Sequence, residues 1–305
     1  MATGYGIGAY NGPVDGFDVT PVEGLRSPVV IMAFTGWSDT GTVTTDVADR
    51  LVRAYSAQRF ATVDPEDYYV FTDTRPTVRL DVNGVRELEW PRNELHYARL
   101  ADAAHDIVIV SGAEPNLRWR TFAERLSEAV AACQPSLVCT LVARPAATPH
   151  TRPVPVTGSS ADPALAAKFG LGRSLYQGPT GILGVIHDVL RRKYNAPLIS
   201  LAAGVPHYLN TDENPPATLA LLCALEPVIG LPPPLGDLEE QGVTFVQRVE
   251  EASQGDEQIA AYVRTLEEHY GEEEEIEDEG GPAELPSADD ILRDVEDFLR
   301  GQGEP

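Results

Sequence analysis

Two parts of the sequence share one pattern, in which an uninterrupted apolar run of strand length is followed by a glycine loop and then by an amphipathic helix. The runs are PVVIMAF, which starts at Pro28, and DIVIV, which starts at Asp106. A strand with no polar alternation is typical of a parallel sheet that helices cover on both faces. Two further apolar runs, SLVCTLV and PLISLAAGV, also alternate with helical patterns. The sequence therefore predicts a three-layer α/β/α sandwich around a largely parallel sheet.

The same patterns divide the chain into three parts. Residues 1–27 are rich in glycine and proline and predict an extended lead-in, whereas residues 28–236 hold the strand and helix patterns of the core domain. Residues 237–305 predict an acidic helical appendage, with a disordered Glu-rich segment around residues 271–286. Within the core domain, TVRLDVNGVRELEWP predicts a β-hairpin with an Asn-Gly turn.

The formal net charge of −24 belongs mainly to the appendage, where residues 237–305 contain 23 acidic and 4 basic side chains. A net charge of −5 is left for residues 1–236. The chain has only two lysines, Lys168 and Lys193. Because nucleic-acid phosphates are bound by clustered basic side chains, this distribution predicts no nucleic-acid partner.

Several other classes of function lack the residues that they need. No apolar segment approaches the ~18–20 residues of a membrane-spanning helix, so we expect no membrane partner and a cytoplasmic protein. The three cysteines lack C-x-x-C spacing and are expected to be reduced thiols. The six histidines show no metal-binding spacing, and His187, off the apolar stripe of its helix, is expected to be solvated or to cap. We therefore expect no metal and no cofactor.

The candidate site follows from the predicted sheet. Ligands of open α/β sheets collect beyond the carboxyl ends of the strands, where helix N-termini point their free N–H groups. The loops at those ends are expected to form a cleft, and no sequence motif assigns a catalytic residue to it. The candidate cleft and ligand-binding residues are Gly36, Trp37, Asp39, Gly41, Glu114, Arg118, Arg120, Thr180 and His207.

The loop after the first strand, GWSDTG, does not match the motifs of known catalytic loops. A nucleophile elbow needs its second glycine two residues after the serine, whereas Gly41 follows Ser38 by three. A phosphate loop needs a following lysine, which is absent here. The structural interpretation is a turn in which Ser38 or Asp39 caps the helix and Trp37 packs under the loop.

The charged candidates leave alternatives open. Arg118 and Arg120 fall in or near the first turn of a predicted helix, where the helix dipole disfavours a cation by about 0.3–1 kcal/mol each. Either carboxylates pair with them, with Glu114 and Asp39 as candidates, or the site receives an anion. His207 follows a predicted strand and is either a structural histidine or a member of the site.

Six segments in this order resemble the actinobacterial branch of the proteasome assembly chaperone family, the family named for the second such chaperone. The resemblance spans roughly Pro28 to Ile229. It implies a three-layer fold similar to that of the nucleoside phosphorylases. In eukaryotes and archaea, members of the chaperone family use this fold as a binding scaffold for proteasome α-subunits. The segments are PVVIMAFTGWSDTG, TRPTVRLDVNGVRELEWP, SGAEPNLRWRTFAERL, HTRPVPVTGSSADP, YQGPTGILGVIHDVL and VPHYLNTDENPPATLALL.

The resemblance and the residues together support two hypotheses of function. The first is a non-enzymatic binding or assembly scaffold that forms a homo-oligomer, a trimer by analogy with phosphorylases, and that binds proteasome subunits or another protein. The alternative is a phosphorylase-like or hydrolase-like enzyme, or a binder of a small anion or nucleoside, that uses the cleft at the strand ends.

Overall fold

A computed structural model describes residues 16–270 of the chain. Its strands are β1 (Phe17–Val19), β2 (Val29–Thr35), β3 (Gln58–Val63), β4 (Thr77–Leu80), β5 (Arg86–Glu89), β6 (Asn93–Ala98), β7 (Ile107–Ala113), β8 (Leu137–Ala146), β9 (Val156–Ser159) and β10 (Leu198–Pro206). Its helices are α1 (Val43–Ala54), α2 (Trp119–Ala132), α3 (Pro163–Phe169), α4 (Ile182–Tyr194), α5 (Pro215–Ala224), α6 (Glu226–Ile229), α7 (Leu238–Gln254) and α8 (Glu257–Glu268). Short 3-10 turns cover Thr40–Thr42 and Pro65–Asp67.

The main sheet has eight strands in the order β1-β3-β6-β7-β2-β8-β10-β9. The four strands β7, β2, β8 and β10 are parallel neighbours, while antiparallel strands extend the sheet at both edges. In β2, every residue before Thr35 is buried. A continuous apolar strand can be buried in this way only where both faces of the sheet are covered, so the central position of β2 follows from its composition.

Two layers of helices cover the sheet, and alternate side chains of β2 serve one or the other. Ile31 and Ala33 belong to the hydrophobic cluster formed with α1 and α5. Met32 and Phe34 belong to the opposite cluster, formed with α2 and α4. The predicted three-layer α/β/α sandwich is therefore confirmed.

The edges of the sheet differ from the prediction. Strands β3, β6 and β9 and helix α3 are not predicted from the sequence. The three strands are short, partly exposed and mix polar with apolar residues, so they lack the continuous apolar run of the central strands. The predicted lead-in also contributes to the fold, since β1 pairs with β3 and buries the ring of Phe17. An edge strand of three residues has too little periodicity to be recognised in a sequence.

The predicted hairpin is confirmed. Strands β4 and β5 pair antiparallel and form a sheet of their own, separate from the main sheet. In the turn, the carboxylate of Asp81 accepts hydrogen bonds from the backbone N–H groups of Asn83 and Val85 at 2.8 and 2.7 Å. Gly84 has a φ of 78°, a left-handed conformation that glycine adopts without strain.

Helices α7 and α8 pack on the core instead of extending away from it. Helix α7 contacts α5, and its Leu238 is fully buried in the cluster on the α1 side of the sheet. The ring of His150, from the loop after β8, bonds to the hydroxyl of Tyr208 at 2.7 Å and to the carboxylate of Glu250 on α7 at 3.1 Å. The predicted Glu-rich segment and the helical pattern that follows it lie outside the described residues.

Candidate functional site

Glu114 joins two of the loops at the carboxyl end of the sheet. The ends of β2 and β7 are neighbours, with Thr35 opposite Ala113, so the loops that follow them meet. The carboxylate of Glu114 accepts hydrogen bonds from the backbone N–H of Trp37 at 3.3 Å and from that of Ile182 at 2.6 Å. Glu114 therefore fixes the loop after β2 and also occupies the positive N-terminus of α4.

Two glycines make room for this carboxylate. Gly36 has a φ of 105°, and a Cβ atom there would lie 3.0 Å from one oxygen of Glu114. A Cβ atom on Gly181 would lie 2.9 Å from the other oxygen. The loop GWSDTG thus needs glycine at position 36 for its backbone conformation and for close packing. This supports the interpretation of the loop as a structural turn.

Asp39 is buried at the start of α1. Its carboxylate accepts hydrogen bonds from the N–H of Thr44 at 2.6 Å, the hydroxyl of Thr44 at 2.8 Å and the hydroxyl of Thr45 at 2.5 Å. Burial raises the pKa of Asp39, and these hydrogen bonds oppose part of that rise. The predicted capping role of Asp39 agrees with these contacts, although Thr40–Thr42 forms a 3-10 turn before the helix. Gly41 lies in this 3-10 turn with a φ of 65° and packs against Asn214, the residue before α5.

Arg118 pairs with a carboxylate, as one of the two alternatives predicts, but the carboxylate is neither of the two candidates named from the sequence. Arg118 binds Asp67 at 2.8 Å, and both side chains are about half exposed. The pairing of Arg118 or Arg120 with Glu114 or Asp39 is therefore wrong, because backbone N–H groups and threonines already occupy those carboxylates. Helix α2 begins only at Trp119, after Arg118 in a left-handed conformation. Arg120 is exposed, and no ion pair to it is recorded from residues 16–270.

His207 contacts the C-terminal helices. Its Nδ1 lies 3.0 Å from the carbonyl oxygen of Ala146, and its Nε2 lies 3.0 Å from the hydroxyl of Tyr262 on α8. Nδ1 thus contacts β8 within the core, and Nε2 joins the core to α8. Of the two alternatives for His207, a structural histidine or a member of the site, these contacts favour the structural histidine.

Trp37 and Thr180 lie at the rim of a groove of about 970 Å³ between α4 and the strands β8, β9 and β10, which we call the α4 groove. The side chain of Trp37 is 44% exposed, so the interpretation that it packs under the loop is wrong. His187 of α4 also lines this groove, and its Nε2 lies 2.9 Å from the hydroxyl of Thr140 on β8. Burial lowers the pKa of His187 to about 4, so the ring is neutral at pH 7.

The position of His187 corrects the expectation of a solvated or capping residue. A usable signal was present in α4, where Gly184, His187 and Arg191 are spaced at i, i+3 and i+7 and share one face beside the apolar stripe. Nothing in the sequence links that face to Thr140, because the contact depends on how α4 crosses β8.

Within residues 16–270, two features that would indicate other classes of site are absent. No group of three or more histidine, cysteine, aspartate or glutamate side chains is placed to hold a metal ion in that part of the chain. Its helices also include none with the length and apolar character required to cross a bilayer.

The chain thus folds as a largely parallel sheet covered by helices, and the side chains at the strand ends mainly hold loops and helix starts. A comparison with protein families agrees with this fold. The model of the PAC2 family matches residues 33–253, and the chain belongs to the PAC2 family. Among proteins with curated functional descriptions, none matches this chain.

Solved structures give the same result. A PAC2 family protein from Streptomyces avermitilis is 40% identical with a TM-score of 0.71, covering 77% of this chain and 99% of that one. The proteasome-assembly chaperone homologue Rv2125 of Mycobacterium tuberculosis is 38% identical with a TM-score of 0.69 and the same coverage, 77% and 99%. PbaA of Pyrococcus furiosus, an archaeal homolog of proteasome-assembly chaperone, is 15% identical with a TM-score of 0.52, covering 83% of this chain and 97% of that one, and shares the fold.

Proposed function

We propose that this protein is a non-enzymatic scaffold that acts by binding other protein chains. Its first partner is a second copy of itself, in a homotrimer, and the assembly then binds proteasome subunits or another protein. Two of the similar structures are described as homologues of a proteasome-assembly chaperone, which supports this class of function. The observation that carries the proposal is the apolar face of the β4–β5 hairpin.

The hairpin has one apolar and one polar face. Val78 is paired directly with Leu88, and Leu80 lies two residues along β4, so these three side chains share a face. Val78 is 52% exposed, Leu88 is 59% exposed and Leu80 is 67% exposed. Arg79 and Glu87 are paired on the opposite, polar face. Binary patterning of this kind normally places the apolar face against a core, yet here that face is open.

An isolated two-stranded hairpin is marginally stable in water, and exposed apolar patches mark surfaces that other proteins cover. The hairpin also carries charges of both signs, including the pair Arg79 and Glu89, so its surface suits a second copy better than a strongly charged partner. We infer that the hairpin packs on the next subunit of the oligomer.

The candidate residues at the strand ends support a scaffold more than an enzyme. Asp39 and Glu114 are the carboxylates that an acid–base mechanism at the strand ends would use. Each instead accepts backbone N–H hydrogen bonds that hold the start of a helix. His207 has both ring nitrogens in contacts with protein groups. A general acid or base needs a free position toward a substrate, whereas the contacts of these three groups are with the protein itself.

A double variant, Leu80→Glu with Leu88→Glu, tests the proposal. We expect the wild-type chain to have three times the mass of one subunit by light scattering after gel filtration, and the variant to have the mass of one. The reason is that two carboxylates would be buried without partners in the interface, at a cost of several kcal/mol.

The matched control is Val243→Glu, which changes an exposed apolar residue on α7. This variant is expected to remain a trimer. If the wild type is a monomer, or if Leu80→Glu with Leu88→Glu leaves the trimer intact, the hairpin is not the contact between subunits.

A further inference from the structure

The α4 groove lies on the face of the sheet that carries α2 and α4. The apolar cluster on that face includes Val138 of β8, with Leu198 of β10 packed at its margin. Helix α3 packs on the other face, through Leu165 and Phe169. Beyond Val138 and Leu198, the strands β8 and β10, together with β9, therefore form the floor of a groove, and α4 forms one wall.

The floor carries a row of hydroxyl groups. Ser200 of β10 is in register with Thr140 of β8 on one side and with Ser159 of β9 on the other. Side chains at paired positions of neighbouring strands point to the same face, so the three hydroxyls stand side by side. Thr140 bonds to His187, whereas no hydrogen bond to the Ser159 or Ser200 hydroxyl is recorded from the described part of the chain. Both serines can therefore bond to a ligand.

Charged groups of both signs line the groove. Arg144, Arg173 and Arg191 line it, together with the acidic residues Asp162 and Asp188. The carboxylate of Asp188 is already paired with Arg191 at 2.8 Å and with Arg192 at 2.7 Å. The carboxylate of Asp162 accepts the N–H groups at the start of α3. The ion pair with Asp188 also uses Arg191.

In the described part of the chain no ion pair is recorded for Arg173, which follows Gly172, the residue that pairs with Ser159 of β9. The groove therefore presents the guanidinium of Arg173 to a ligand, next to the row of hydroxyls.

Guanidinium groups and hydroxyls select for a particular ligand chemistry. Arginine forms paired hydrogen bonds with phosphate oxygens, and serine hydroxyls exchange hydrogen bonds with the hydroxyls of a polyol. A volume of about 970 Å³ lies at the upper end of the range for small-molecule sites, so the groove can hold more than a single ion. Trp37 at the rim offers an aromatic surface in addition.

We propose that the α4 groove binds a small phosphate monoester of a polyhydroxy molecule, with its phosphate on Arg173 and its hydroxyls on Ser200 and Ser159. This inference goes beyond the proposed scaffold function and does not depend on it. The shared chemistry covers sugar phosphates and nucleoside monophosphates, and ribose 5-phosphate and AMP are the probes that separate the two.

Isothermal titration calorimetry of the full chain tests the site with ribose 5-phosphate, AMP, inorganic phosphate and ribose. We expect one of the two esters to bind at least ~10-fold more tightly than phosphate or ribose alone, because only the ester uses both halves of the groove. If neither ester binds at millimolar concentration, or if inorganic phosphate binds as tightly as both, the proposal is overturned.

Variants locate the binding. Arg173→Gln is expected to weaken the tighter ester at least ~10-fold, while Arg192→Gln, a matched change on α4 outside the groove lining, leaves it unchanged. Ser200→Val is expected to weaken the ester and leave inorganic phosphate unaffected. Equal losses in Arg173→Gln and Arg192→Gln would indicate general anion attraction and refute the site.

A final variant separates this inference from the scaffold proposal. Leu80→Glu with Leu88→Glu changes the hairpin and none of the groove residues. It is expected to bind the ester as the wild type does, whatever its effect on the oligomer. Loss of ester binding in this variant would contradict the independence of the groove from the hairpin.

Discussion

Replacement of Asp39 by alanine is expected to lower the free energy of unfolding by about 3 kcal/mol. The change removes a buried acceptor from the N–H and hydroxyl of Thr44 and from the hydroxyl of Thr45. Loss of a helix cap costs about 0.5–2 kcal/mol, and buried donors left without an acceptor add to that cost. The measurement is urea unfolding followed by circular dichroism.

Asp39→Asn is expected to cost less than Asp39→Ala. The amide oxygen can still accept the N–H of Thr44, and burial already disfavours the ionised form of Asp39, as its raised pKa indicates. The matched control is Asp256→Ala, which removes an exposed cap at the start of α8 and should cost about 1 kcal/mol or less. An alanine variant of Asp39 as stable as the wild type would contradict the capping role and reopen a catalytic one.

Replacement of Asp106 by alanine is expected to destabilise the protein by a similar amount, about 3 kcal/mol. The carboxylate is fully buried and accepts hydrogen bonds from the backbone N–H and the guanidinium of Arg26 and from the N–H of Leu100. These contacts tie the segment before β2 to the start of β7. The cost stays below that of a wholly buried ion pair, because the side chain of Arg26 is 49% exposed and can return to water.

The contribution of Asp106 should depend on pH in a defined direction. Burial acts to raise the pKa of Asp106, but the hydrogen bonds from Arg26 and Leu100 outweigh it and hold the pKa below its ordinary value of 3.8. A carboxyl group with a lowered pKa stabilises the folded chain above the unfolded pKa and loses that effect as pH falls through the folded pKa. The difference in unfolding free energy between wild type and Asp106→Asn should therefore be constant above about pH 5 and shrink below pH 3.8.

Asp67→Ala serves as the control for the ion pair. Its partner Arg118 lies at 2.8 Å, the same kind of contact as in the pair of Arg26 and Asp106, but both side chains are about half exposed. Exposed pairs contribute about 0–1 kcal/mol, so this variant should be close to the wild type. If Asp67→Ala and Asp106→Ala cost the same, burial is not what makes Asp106 important.

The candidate site was predicted in part. The loops after β2 and β7 do meet, because they follow neighbouring parallel strands, and that geometry follows from the fold. The cap formed by Asp39 is a local contact within six residues, so the sequence could suggest it. The partners of Glu114 and Arg118 were not predictable, since Ile182 and Asp67 lie 68 and 51 positions away along the chain.

The sequence by itself determined the layers of this protein. Runs such as VVIMAF fix a buried parallel strand, and the spacing of apolar residues in α1 and α4 fixes which helix faces cover it, because both patterns depend on neighbours along the chain. The tertiary structure alone decided how the edges of the sheet and its surfaces are used. It placed Thr140, Ser200 and Ser159 side by side, set His187 against them and left the apolar face of the hairpin open. Strand register and helix crossing bring together residues distant in sequence, and no local pattern encodes those distances.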